Sequence, residues 1–81
     1  MSVEQLRTLI AHLARALVDA PDAVEVTTVE DDHVLVVELS VAQDDLGKVI
    51  GKDGRTARAM RTLLAATAAK MQRRAILEIL E

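Results

Sequence analysis

The chain has 81 residues with no cysteine, which excludes a disulfide framework and a thiolate metal site. It also has no Phe, Tyr or Trp, so it lacks the aromatic platforms on which RRM and most OB-fold modules stack bases. Net charge is −3, but the sign is segregated: residues 1–45 hold ten acidic and two basic residues, and residues 46–81 hold three acidic and eight basic ones. Such asymmetry points to an anionic partner on the basic side or to a solvated basic face balanced by acidic neighbours.

Ser2 followed by Gln5 is a capping-box pattern that opens a helix at Val3. Val3, Leu6, Ile10, Leu13 and Leu17 recur three and four apart as one apolar stripe, widened by Leu9 and Val18. The segment Asp19-Ala20-Pro21-Asp22 ends it, giving a helix over 3–19 with His12 off the stripe. This N-terminus has no basic region followed by an apolar run, so it does not read as a signal peptide. No apolar run approaches the roughly 20 residues needed to cross a bilayer. A single domain over 1–81, soluble and cytoplasmic, is the expectation.

Residues 24–30 and 34–41 are rich in β-branched side chains and are separated by Asp31-Asp32-His33, a hairpin signal. Leu35, Val37, Leu39 and Val41 share the face expected to meet the helices. Val34 and Val36 lie on the other face and are more apolar than open solvent favours, which hints at a partner or covering segment. The acidic run Glu30-Asp31-Asp32 reads as a solvated turn rather than a metal site, since no further ligands cluster near it.

Residues 43–50 form a short helical pattern, with Asp44 and Asp45 at the end where the dipole favours acids. Leu46, Val49 and Ile50 supply its inner face. All three glycines fall within positions 47–54, and Gly51-Lys52-Asp53-Gly54 leads into a long helical pattern from Arg55 to about Gln72. Ala57, Met60, Leu64, Thr67 or Ala68, and Met71 make the core stripe of that helix, while Arg58 and Arg61 face outward. A strip of small residues, Ala65, Ala66, Ala69 and Thr62, reads equally as an oligomer contact or as alanine filler. Residues 74–80 alternate in a way that permits a strand, although a continued helix fits as well.

The glycine turn carries the chemistry. A P-loop needs four residues between its glycines and then Lys-Ser/Thr, set between a strand and a helix. Here three residues separate Gly47 from Gly51, Asp53 follows Lys52, and a helix precedes the turn. Neither His12 nor His33 adjoins a serine or threonine, so no nucleophile–base pair is legible. A Gly-x-x-Gly turn that feeds a helix N-terminus does offer N–H groups and the positive dipole end to phosphate oxygens. Lys52, Arg55 and Arg58 add positive charge around it.

The stretch Val49-Ile50-Gly51-Lys52-Asp53-Gly54-Arg55-Thr56-Ala57-Arg58-Ala59-Met60-Arg61 resembles the core of a KH domain, whose GXXG loop clamps about four nucleotides of backbone. The order of elements over 3–81 resembles the bacterial, type II arrangement, and the whole chain resembles the small single-KH RNA-binding proteins of the KhpA type. That likeness implies an α+β, two-layer fold in the order α-β-β-α-α-β, a three-stranded sheet with helices on one face, and a strand over 74–80. It implies a cleft for single-stranded RNA at Gly51, Lys52, Asp53 and Gly54, with Val49, Ile50 and Ala57 lining it. Lys48, Arg55, Arg58 and Arg61 are the cations that flank the loop. It further implies a role in post-transcriptional control or as an RNA chaperone, and dimerisation with itself or with a larger KH-containing partner linked to cell-envelope and division control. No enzyme activity, cofactor, small-molecule substrate, metal or membrane is implied. Asp53 inside the clamp and the short acidic hairpin predict weak, salt-sensitive binding of low sequence specificity.

Overall fold

The computed structural model describes residues 2–81, and its elements follow the expected order. Helix α1 spans Val3–Leu17, strands β1 and β2 span Glu25–Asp31 and Val34–Ser40, and helices α2 and α3 span Leu46–Ile50 and Arg55–Ala69. Strand β3, Arg74–Ile79, closes the chain, which settles the ambiguous last segment as extended. The sheet runs β1-β2-β3, with β1 antiparallel and β3 parallel to the central β2. The parallel pairing needs a long crossover, and the two helices between β2 and β3 provide it.

Local chemistry accounts for the boundaries. The Ser2 Oγ accepts the Gln5 N–H at 3.2 Å while the Gln5 side chain accepts the Ser2 N–H at 2.6 Å, so the capping box forms as read. Helix α1 stops at Leu17 rather than 19, because the chain turns extended at Val18 before reaching Pro21. The hairpin is closed by two residues, Asp32 and His33, with Asp31 paired to Val34 and Asp32 at φ 52°. Aspartate tolerates that left-handed conformation better than most side chains. Residues 43–45 form a 3₁₀ turn, so α2 proper is shorter than the 43–50 expected.

Helix α3 ends in a Schellman motif. The Arg73 N–H donates to the Ala68 carbonyl at 3.1 Å and the Gln72 N–H to the Ala69 carbonyl at 3.0 Å, with Gln72 at φ 58°. Glycine usually holds that position, and its absence here hid the helix end from the sequence.

Packing follows the two periodicities. Leu35, Val37 and Leu39 of β2 are fully buried, together with Leu6, Ile10, Ala14, Val49, Leu64 and Ala68 from the helices. Leu77 and Ala75 of β3 and Val26 of β1 extend this layer, and Val41 packs partly buried at its margin. The stripe on α1 is rotated from the one expected: Ala11 and Ala14 are buried, whereas Leu17 is 40% exposed. Small alanines let α1 approach its neighbours closely, and the leucine at the helix end overhangs the core.

Candidate nucleic-acid interface

The glycine turn is a strained piece of backbone that the surrounding residues hold in place. Gly51 sits at φ 78°, ψ 170°, a region open essentially to glycine alone. A Cβ there would lie 2.7 Å from Thr56 Cβ and 2.9 Å from the Thr56 backbone nitrogen, so Thr56 packs directly against the Gly51 main chain. Gly54 takes φ 74°, ψ 14° with open space around it, so its requirement is conformational rather than steric. Between them Asp53 is also left-handed, at φ 59°, ψ 22°. The carboxylate read as an intruder in the clamp thus occupies a backbone position that few non-glycine residues tolerate.

Some of the turn's hydrogen bonds are internal. The Gly51 N–H donates to the Gly47 carbonyl at 2.8 Å, and the Gly54 N–H to the Gly51 carbonyl at 3.1 Å. The N–H groups of Lys52 and Asp53 follow within the short 3₁₀ turn Lys52–Gly54. They lie at the tip of the turn, just ahead of the positive end of the α3 dipole.

The flanking cations divide sharply in how they are used. Lys48 Nζ lies 3.3 Å from both Asp45 Oδ1 and Asp19 Oδ2. Arg61 is exposed, as expected, and its Nε donates to the Leu77 carbonyl at 3.3 Å, on the edge strand β3. Arg58 closes over the turn, its Nη2 donating to the Asp53 carbonyl at 3.3 Å. Arg55 is exposed and stands 3.9 Å from the Asp53 carboxylate. Lys52 is exposed at the apex and has no ion-pair or hydrogen-bond partner among the described residues. Val49 and Ala57 are buried behind the turn and Ile50 half-buried, so Ile50 is the apolar side chain there within a ligand's reach.

Asp45 stands at the N-cap of α2, where the dipole favours an acid, and is in addition a buried clasp. It is 2% exposed, and its Oδ2 and Oδ1 accept the N–H groups of Ala20 at 3.0 Å and Asp19 at 3.2 Å. Burial works against its charge, but these two donors and Lys48 outweigh it and hold the carboxyl below its ordinary pKa. Hydrogen bonds from the Lys48 ammonium to the Asp45 and Asp19 carboxylates, reinforced by their charge, raise the Lys48 pKa above its usual value. The clasp ties the end of α1 to the start of α2, and α2 delivers Gly51. Its partners lie about 25 residues apart in the chain, and no local sequence signal announces such a bond. Thr56 was missed as well, since only the folded turn shows what it abuts.

Comparison with known proteins places the chain. The family model described as "KhpA/KhpB, KH domain" matches residues 7–79. The RNA-binding protein KhpA of Halalkalibacterium halodurans is 53% identical over 76 residues, covering 94% of this chain and all of that one. Those of Treponema pallidum and Aquifex aeolicus are 53% and 49% identical, covering 90% and 94% of this chain and 91% and 96% of their own lengths. Among solved structures, Era from Aquifex aeolicus bound to GDP and aluminium fluoride matches with a TM-score of 0.63 at 21% identity, over 93% of this chain and 29% of that one. This last likeness concerns the fold alone. With its α+β fold, its Gly-Lys-Asp-Gly turn between two helices and these relatives along nearly its full length, the chain belongs to the KhpA/KhpB KH-domain family.

Proposed function

We propose that this protein binds single-stranded RNA by its phosphate backbone, with Gly51, Lys52, Asp53 and Gly54 as the clamp, and that it is a binding module rather than an enzyme. One observation carries the reading: at the apex of a glycine-shaped turn that feeds the N-terminus of α3, an exposed ammonium stands with no ion-pair or side-chain hydrogen-bond partner among the described residues. That is a donor set for phosphate oxygens, in a chain whose relatives are named RNA-binding proteins. Ile50 supplies an aliphatic surface beside it, and Arg55 and Arg58 supply flanking charge. Lys48 and Arg61, counted among the candidate contacts, serve chiefly to hold α2 and β3 in place. The whole chain acts as one type II KH domain, with modest affinity because few phosphates are reached, and it works in the cytoplasm in post-transcriptional control or as a chaperone for RNA.

The test is Lys52→Asp, which keeps both glycines and puts two adjacent carboxylates at the apex. Affinity for a short single-stranded RNA, read by gel shift, is expected to fall at least tenfold, about 1.4 kcal/mol, with the far-UV circular dichroism unchanged. Unaltered affinity in the folded variant would sink the clamp.

A second reading, dimerisation with another copy or with a larger KH-containing partner, is favoured by the outer face of α3. Leu63 is 49% exposed there, and exposed Ala59, Thr62 and Ala66 share that side of the helix. Small residues around one apolar side chain permit close approach of a second helix. Light scattering at high concentration checks it: a strict monomer that Leu63→Lys leaves unchanged would argue against self-association.

A further inference from the structure

The sheet face turned away from the helices is not an ordinary solvated face. Its registers align Val29, Val36 and Ile76 directly across all three strands. Val29 and Ile76 are 48% and 45% exposed, and Val36 is half-buried between them. The row on one side is Thr27, Glu38 and Glu78, and beyond it lies Glu25. The row on the other side is Asp31, Val34 and Arg74. The outward side chains of the three strands therefore include four carboxylates against one guanidinium around a central apolar line.

We infer that this face is a docking surface for a basic amphipathic helix of a partner protein. Charge selects the occupant. A second copy laid face to face would set two carboxylate-rich rims together, and nucleic acid would be repelled by the same rims. A helix with an apolar stripe between lysines or arginines fits both features. Spacing agrees: three adjacent strands span roughly 10 Å, about the rise of seven helical residues, so side chains at i, i+3 or i+4, and i+7 can lie along Val29, Val36 and Ile76. Glu38 and Glu78, one row away, are then within reach of the helix's flanking cations. The surface lies on the sheet layer opposite the helices that frame the glycine turn, so its occupancy does not depend on the RNA reading.

The experiment is an amide-shift titration of the isotope-labelled full chain with two synthetic peptides of about 18 residues, five helical turns, one Leu/Lys and one Leu/Glu amphipathic helix. The Leu/Lys peptide is expected to shift the amides of Val29, Val36, Glu38, Ile76 and Glu78, and the Leu/Glu peptide to leave them in place. Ile76→Thr, and separately the pair Glu38→Gln and Glu78→Gln, are expected to weaken peptide binding at least tenfold while RNA affinity stays within twofold. Ile76→Thr keeps a β-branched residue on an exposed position, so the strand is retained. The inference is overturned if the Leu/Lys peptide fails to bind, if its shifts fall on the helices, if both peptides bind alike, or if the same sheet amides shift with protein concentration alone, which would make a second copy the occupant.

Discussion

Helix α2 has two ends built on opposite principles. At its start, Asp45 is buried and every charge nearby is committed: two backbone N–H groups and Lys48 face one carboxylate, and Asp19 takes the other side of the same ammonium. Just past its end, Lys52 sits on a strained turn with no partner of its own among the described residues. The two lysines are four positions apart and look equivalent in sequence, yet one completes the fold and the other is left available. Charge satisfied within the chain stabilises architecture, whereas charge left unsatisfied on a rigid support is what a ligand can use.

The largest effect is expected at the turn. Gly51→Ala forces a side chain into a glycine-only conformation, a cost of about 1–3 kcal/mol, and crowds it against Thr56, with overpacking typically adding another 1–3 kcal/mol. Urea denaturation is expected to show a loss of roughly 3 kcal/mol or more, or no folded protein at all. Gly47→Ala is the control four residues away. A Cβ there meets nothing within 4 Å, and its helical position should make the variant more stable by about 0.5–1 kcal/mol. Equal losses at both glycines would remove the distinction between them.

The clasp is next. Asp45→Asn should lower the urea midpoint and leave RNA affinity within about twofold, because it loosens α2 at the end remote from the turn. It should also change the pH profile. A carboxyl whose folded pKa is depressed stabilises the protein above its unfolded pKa, and that contribution is lost as pH falls through the folded value. The parent is therefore expected to lose more stability than Asp45→Asn on going from about pH 5 down through the carboxylate range. Parallel profiles for the two proteins would show that Asp45 is not ionised as described.

Gln72→Gly relieves a left-handed glutamine at the Schellman position and should stabilise by about 1 kcal/mol. The finest comparison is between the two lysines. With three to five phosphates contacted, log affinity should fall with log salt at a slope of roughly −2 to −3.5. Lys52→Met should reduce that slope by about 0.7, and Lys48→Met should leave it nearly unchanged while weakening the fold. The reverse pattern would move the RNA contact to the other end of α2.

Much of this was legible before any coordinates. The β-branched runs and the acidic break between them gave both strands and the hairpin, because strand periodicity and turn chemistry act locally. Ser2 and Gln5 announced the start of α1 for the same reason, and the glycine pair marked the turn. Helix ends were misplaced where the signal was tertiary or atypical: Gln72 does a glycine's work, and Leu17 overhangs the core although it lies on the apolar stripe. Strand β3 has a periodicity compatible with either structure, and only the resemblance favoured extension. The site was half legible. Sequence proximity gathered Lys48, Lys52, Arg55, Arg58 and Arg61 into one set, and only long-range partners such as Asp19 and the Leu77 carbonyl separate those committed to the fold from Lys52.

Titration of the isotope-labelled chain with a short single-stranded RNA tests the central claim most directly, by locating the contact residue by residue. The expected result is amide shifts concentrated at Ile50–Arg58, largest at Lys52 and Asp53, which form the apex of the turn, with the Asp45 clasp and the open sheet face undisturbed. Shifts centred on Val29, Val36 and Ile76, or on Asp19 and Lys48 with the glycine turn silent, would contradict it.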